Sequence, residues 1–245
     1  MKLTLSLVII MKKLLVTLNI NDYDKDITEI TFPYMREYAK NIDADFYIIT
    51  ERKFSNFSIT LEKFQIYEIS EKYDRIIFLD ADCIINPKTK DLTTLIDRDR
   101  ILVSSFNPPD HHFYHKNING EHTLKYYVPF HFLVFSKETR NCVKPYSDIA
   151  NYYDYINLNS SHPEMKKYMS LRTHISDEKN KEILLDEFFL SLNIHKHCIK
   201  CASLKEDYPE LNAISHISDT KENKMKLFHE SAKFISSFKN NISYS

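Results

Sequence analysis

The chain has 245 residues, a formal net charge of -1, and 43% hydrophobic and 27% charged composition. That is the make-up of a soluble globular domain, and it carries no global basic field that would mark nucleic acid as the partner. The single glycine, Gly120, excludes a Walker-type loop and a G-x-G-x-x-G turn in their usual form, because both need glycine where backbone approaches phosphate. A phosphate here would have to be met by a metal and by cationic side chains.

The opening stretch, MKLTLSLVIIMKKLLVTLNI, holds an apolar run from Leu3 to Ile10 that Lys12-Lys13 interrupts. It is too short to span a bilayer and no small-residue cleavage site follows, so a soluble, cytoplasmic protein is expected. Residues 1–10 read as an extension or a lead-in to the first strand, with Met11 a rival start.

Leu14 to Ile20 is predicted to be a buried strand ending in polar Asn19. Asp26 to Lys40 has helical apolar spacing with Pro33 inside it, and Ala44 to Thr50 is a second strand. Thr60 to Lys72 reads as an amphipathic helix, burying Leu61, Phe64 and Ile66. Tyr73 to Pro87, YDRIIFLDADCIINP, follows. Its apolar run Ile76–Leu79 lacks polar alternation, which suits a strand buried on both faces. This βαβαβ order predicts an α/β fold, a mostly parallel central sheet flanked by helices in a single domain. Ligands of such sheets bind outside the carboxyl ends of the strands, an edge that collects Asn19, Thr50, Asp80 and Asp82. Alternation along an extended chain predicts that Asp80 and Asp82 share one side, as a hard-cation site would need.

Further on, Asp91 to Asp97 is expected to be a short helix and Arg100 to Ser104 a strand. Phe106 to Glu121 reads as a long loop, solvated despite His111, His112 and His115. Tyr127 to Ser136 is an aromatic strand. Pro145 to Asn159 is a tyrosine-rich helix whose Tyr152, Tyr153 and Tyr155 suit core packing. Ser161 opens a helix to Leu171, and Thr173 to Glu182 is a loop. Ile183 to Leu192 is an apolar helix carrying Asp186, which is expected to face a cleft. His195 to Ala202 reads as a strand, Leu204 to Asn212 as a loop, and Lys221 to Lys239 as a closing helix. The string HKHCIKC around Cys198 and Cys201 has zinc-like spacing, but no second Cys/His pair lies at finger-like distance, and a strand is favoured.

With these elements in order, the chain resembles glycosyltransferases of the GT-A fold, and within them the glycogenin-like and galactosyltransferase-like group called family 8. The residues that carry the resemblance are KLLVTLNI, LEKFQIYEISEKYDRIIFLDADCIINP, ILLDEFFLSL and AISHISDTK. They run from Lys12 to about Lys226, and the Asp80-Ala81-Asp82 motif is the specific part. The resemblance implies a metal-dependent transferase using a nucleoside-diphosphate sugar, a UDP-sugar first, with Mn²⁺ or Mg²⁺ and an acceptor hydroxyl of unknown kind. Asp80, Asp82 and His216 would hold the metal. Thr17, Asn19, Lys63, Asp80 and Lys221 would meet the donor, with Lys224 a rival to Lys221 because Asp219 stands where the family motif has glycine. Asp186 would act on the acceptor side, as base if the anomeric centre inverts and as an orienting group if it is retained. Residues 11–104 would form the donor half and 105–240 the acceptor half.

Two rival readings stand beside this one. IIFLDADCII is also similar to the first motif of haloacid-dehalogenase-type phosphatases, which would make Asp80 a nucleophile. A catalytically inactive sugar-nucleotide-binding module is the other.

Overall fold

A computed structural model describes residues 11–22, 24–54, 59–106, 128–145, 185–211 and 213–216, with positions 225, 226, 229, 230 and 233 near the C-terminus. The expectations for the histidine-rich loop, the tyrosine-rich helix, the helix from Ser161 and the loop from Thr173 fall outside these residues, as do Lys221 and Lys224.

The fold is mixed α/β with a mostly parallel sheet, as the sequence predicts. Strands β1 (Lys13–Leu18), β2 (Ala44–Ile49), β3 (Arg75–Leu79), β5 (Arg100–Val103), β6 (Phe132–Ser136) and β7 (Lys200–Ser203) form a six-stranded sheet in the order β2-β1-β3-β6-β5-β7. The pairs β1–β2, β1–β3 and β5–β7 are parallel, and β6 runs against both of its neighbours. A separate two-stranded ladder joins β4 (Cys83–Ile85) to β8 (Ile214–His216), with Cys83 opposite His216.

Alternation divides the core between the two faces of the sheet. Leu14, Val16, Ile76, Phe78, Leu133 and Phe135 pack with Leu61, Phe64, Phe189 and Leu190 on one side. Leu15, Ile77, Leu79 and Val134 pack on the other with Met35, Tyr38 and Ala39 of helix α1 (Lys25–Asn41). Pro33 lies inside α1 without ending it.

Four expectations change. The helix expected over Thr60 to Lys72 is a composite: a 3₁₀ stretch (Ile59–Gln65), a single α turn, α2 (Ile66–Ile69), and a second 3₁₀ turn (Ser70–Lys72). Leu61, Glu62, Lys63 and Phe64 are all buried, more consecutive residues than one face of an α-helix can bury. The aromatic strand begins at Phe132, not Tyr127. His195 does not start a strand. Helix α3 (Leu185–Lys196) runs through it and ends where Cys198 takes a left-handed φ of 50° and the Ile199 amide reaches back to the Ile194 carbonyl at 2.9 Å. That is a Schellman-type stop, and β7 begins only at Lys200. The loop expected after it contains a short helix, α4 (Leu204–Asp207).

Apart from Cys198, the left-handed positions among the described residues, where glycine would be usual, are Asn and Asp. Asn21, Asp22 and Asp24 have φ of 58°, 49° and 35° in the β1–α1 connection, and Asp43 has 55° just after α1. These residue types tolerate that region best after glycine.

Candidate active site

Strand β3 delivers Asp80 to the carboxyl edge of the sheet, beside Asn19 at the end of β1 and Thr50 at the end of β2. The chain does not stay extended there. The Cys83 amide donates to the Asp80 carbonyl at 2.9 Å, so Asp80 to Cys83 is a tight turn. The alternation expected to align the two aspartates is therefore not what brings them together; the turn does so. It is held from both sides, since Thr31 of α1 donates its hydroxyl to the Ala81 carbonyl at 2.6 Å and the Asp80 amide donates to the His131 carbonyl at 2.9 Å.

The β4–β8 ladder then carries His216 to the same turn. Ligand atoms of Asp80, Asp82 and His216 all lie within 4.8 Å of one another, and His216 Nε2 stands 3.5 Å from Asp82 Oδ1. Among the described residues this is the one cluster of histidine, cysteine and carboxylate side chains close enough to hold a metal ion, and the HKHCIKC stretch does not form another.

Lys63 sits beneath this cluster, almost wholly buried. Its ammonium donates to Asp80 Oδ2 at 2.9 Å, to Asp186 Oδ2 at 2.8 Å and to the Phe130 carbonyl at 2.8 Å, using all three protons. The rings of Phe78 and Phe130 lie 5.6 and 5.3 Å from it, close enough for cation–π attraction. Burial works to lower the Lys63 pKa, but Asp186 and then Asp80 outweigh it and hold the group charged. Burial pushes Asp80 up to about 6, with Asp82 adding repulsion and Lys63 opposing both. Asp186 is also raised by burial against the pull of Lys63. Asp186 is 2% exposed and committed to Lys63 through one oxygen. Its other oxygen, Oδ1, has no hydrogen-bond partner among the described residues.

The donor set fits a divalent cation. Two carboxylates and one imidazole form a mixed O/N set of a kind that can hold a divalent cation. Two carboxylates, Asp80 and Asp186, share the one Lys63 ammonium, with Asp82 beside them against His216, which concentrates negative charge in a poorly solvated place. Such a concentration is costly until a cation arrives.

Of the other expected donor residues, Thr17 is buried on the same face of β1 as Leu15, with its hydroxyl unpartnered among the described residues; Asn19 Oδ1 is likewise unpartnered. Asn19 lines an open pocket of about 550 Å³ with Asp22, Lys25, Phe32 and Arg36. That pocket includes none of Asp80, Asp82 or His216, so the side-chain cluster, not the cavity, marks the site. Sequence reasoning missed two residues. Thr31 is one. The other is His131, whose ring stacks on His216 with centroids 4.2 Å apart and planes 5° apart. Burial pushes its pKa down to about 3, so the ring is neutral. Its sequence signal is slight, a lone histidine in the apolar run from Val128 to Phe135.

No protein-family model matches this chain, and no curated protein matches it. Solved structures give distant likenesses, among them several described as glycosyltransferases. One acts in glycosylation of the major capsid of PBCV-1; the match has 10% identity and a TM-score of 0.47 and covers 89% of this chain and 99% of that one. The galactosyltransferase LgtC, solved with donor and acceptor sugar analogues, matches at 14% identity and a TM-score of 0.45, covering 90% and 95%. A Drosophila β-1,4-galactosyltransferase 7 mutant, in complex with manganese, UDP-Gal and xylobiose, matches at 12% and 0.43, covering 87% and 74%. Among the described residues no helix is long and apolar enough to cross a membrane.

Proposed function

We propose that this chain is a glycosyltransferase of the GT-A fold, akin to family 8, which moves a sugar from a nucleoside-diphosphate sugar to an acceptor hydroxyl. The observation that carries the reading is the convergence of Asp80, Asp82 and His216 within 4.8 Å at the carboxyl edge of the sheet. A chain with one glycine has no glycine loop for phosphates, and this cluster supplies the alternative. These three residues would hold a divalent cation, Mn²⁺ or Mg²⁺, which would supply the positive charge that a leaving diphosphate needs. UDP is the proposed carrier.

The chain's own residues do the rest. Lys63 ties Asp80 to Asp186, so the metal-side and acceptor-side carboxylates are held by one ammonium. Asp186 Oδ1, free of other hydrogen bonds among the described residues, is the atom proposed to accept a hydrogen bond from a sugar or acceptor hydroxyl. In an inverting reaction it would take the acceptor proton; in a retaining one it would orient the sugar. Lys221, with Lys224 as its rival, is proposed to meet the diphosphate. Thr17 and Asn19 are proposed to meet the donor.

The test is a thermal-shift screen of nucleotide sugars with Mn²⁺, repeated in excess chelator. A donor that binds only the folded state raises the transition temperature, by the equivalent of about 2.7 kcal/mol at a hundred times its Kd. A metal-dependent rise with a UDP-sugar is expected, followed by slow donor hydrolysis. No rise with any nucleotide sugar, or turnover of phosphate esters without a sugar nucleotide, would overturn the reading; the second result would favour the phosphatase.

A further inference from the structure

Asp80 and Asp82 are fixed by the turn that carries them, but His216 is placed differently. It ends a three-residue strand, β8 (Ile214–His216), whose residues are all only partly buried. Among the described residues, its imidazole makes one ion-pair contact and one ring contact: Asp82 Oδ1 at 3.5 Å and the His131 ring at 4.2 Å between centroids. A histidine ligand needs a second group to set its ring plane, or its nitrogen sweeps away from the metal as the side chain turns.

His131 has the rigidity that His216 lacks. It directly precedes β6 (Phe132–Ser136), every residue of which is buried. Its carbonyl accepts the Asp80 amide at 2.9 Å and the Cys83 thiol at 3.5 Å. One residue therefore holds the aspartate turn through its backbone and faces the histidine ligand with its ring. The rings are within 5° of parallel, so the His131 ring blocks rotation of the imidazole toward that side.

We propose that His131 is a positioning residue for the metal site, its ring fixing the plane of His216 so that Nε2 faces the Asp82 carboxylate. The inference rests on reading Asp80, Asp82 and His216 as metal ligands. It assigns His131 no bond to the metal; what matters is a flat ring at that position. Because the backbone carbonyl is kept in any substitution, changing the side chain isolates the ring.

The experiment is a Mn²⁺ titration followed by the electron paramagnetic resonance signal of the free ion, on wild type, His131→Leu and His131→Phe. Thermal midpoints in chelator check each fold. Leu fills the space without a flat ring and is expected to weaken Mn²⁺ binding by about tenfold or more, the usual scale for losing a group that orients a ligand. Phe restores the ring without a nitrogen and is expected to bind Mn²⁺ as wild type does. If His131→Leu fails to fold, His131→Gln takes its place with the same expectation. Equal affinity in all three proteins would overturn the inference while leaving the metal site standing. Equal weakening in Leu and Phe would also overturn it, since the ring would then not be what matters. Absence of Mn²⁺ binding in the wild type overturns the metal site and this inference together.

Discussion

The two edges of the main sheet both bury charge, and they treat it in opposite ways. At the amino edge, Arg75 is 7% exposed and donates to the carbonyls of Ile96 at 3.1 Å and Asp97 at 3.4 Å. Lys13 reaches the Ile42 carbonyl and pairs with Asp91 at 2.9 Å, while Asp91 also accepts from the Thr93 amide and hydroxyl. There each charge is answered within the protein, with Arg75 Nε the exception. At the carboxyl edge, Thr17 Oγ1, Asn19 Oδ1, Ser104 Oγ and Asp186 Oδ1 are buried without a partner among the described residues. The carboxylates there outnumber the ammonium that serves them. Buried polar groups are ordinarily satisfied. An edge that leaves several unsatisfied, beside surplus negative charge, is arranged for something that binds.

The sharpest way to break this contrast is at its two buried cations. Lys63→Met strands Asp80 and Asp186 in a poorly solvated site and is expected to cost about 3–5 kcal/mol in urea unfolding. Arg75→Met leaves carbonyls, not carboxylates, and is expected to cost about 1–3 kcal/mol. If Arg75→Met proves the more damaging, the two edges are not different in kind.

The next effect is on binding. Asp82→Asn removes one negative charge and one ligand, and Mn²⁺ affinity is expected to fall about 100-fold or more, with donor hydrolysis lost. Circular dichroism should show the fold intact, because the change also relieves repulsion with Asp80. Wild-type activity in this variant would remove the metal from the site.

A pH series tests the same surplus more gently. The folded protein holds a proton on Asp80 up to about pH 6, whereas the ordinary carboxylate value is 3.8. Within that window the folded state binds more protons than the unfolded one, so metal-free stability should decline as pH rises. Metal affinity should move the opposite way and grow through about pH 6, since the ion must displace that proton. Calorimetric titration with Mn²⁺ at pH 5 and pH 7 separates the two trends; affinity that is flat with pH would contradict them.

The smallest effect belongs to Thr17→Val. Removing an unpartnered buried hydroxyl is expected to raise stability by about 1 kcal/mol while weakening the donor, measured by thermal shift with and without UDP-sugar. A loss of stability would mean that the hydroxyl has a partner within the protein.

Strands β1 and β3 were legible because Leu14–Ile20 and Ile76–Leu79 are largely apolar runs, and buried parallel strands leave that mark; β2, at the sheet's edge and half-exposed, showed as Ala44–Thr50. The ladder β4–β8 was not legible, because three residues are too few to show a period and their partners are set by the tertiary fold. The composite turn bearing Lys63 misled for a related reason: its apolar spacing suits a helix, but burying Glu62 and Lys63 beside Leu61 and Phe64 demands a tighter winding. Glu62 explains part of that demand, since its carboxylate gathers the amides of Lys53 and Phe54 and the side chains of Arg52 and Gln65. In the site, residue types and spacing pointed to Asp80 and Asp82, while His216 and Lys63 came only from the family resemblance. That Asp186 is bound to Lys63, and that His131 backs His216, are facts of packing with no local signature.

The β4–β8 ladder joins Cys83 to His216, residues far apart along the chain. Contacts of such long range form late, because a large loop must close before they return any free energy. His216 therefore reaches the cluster only when the chain's distant halves have met. A bound cation would slow their parting, and chelation would show first as faster proteolysis at β8 before any loss of the sheet.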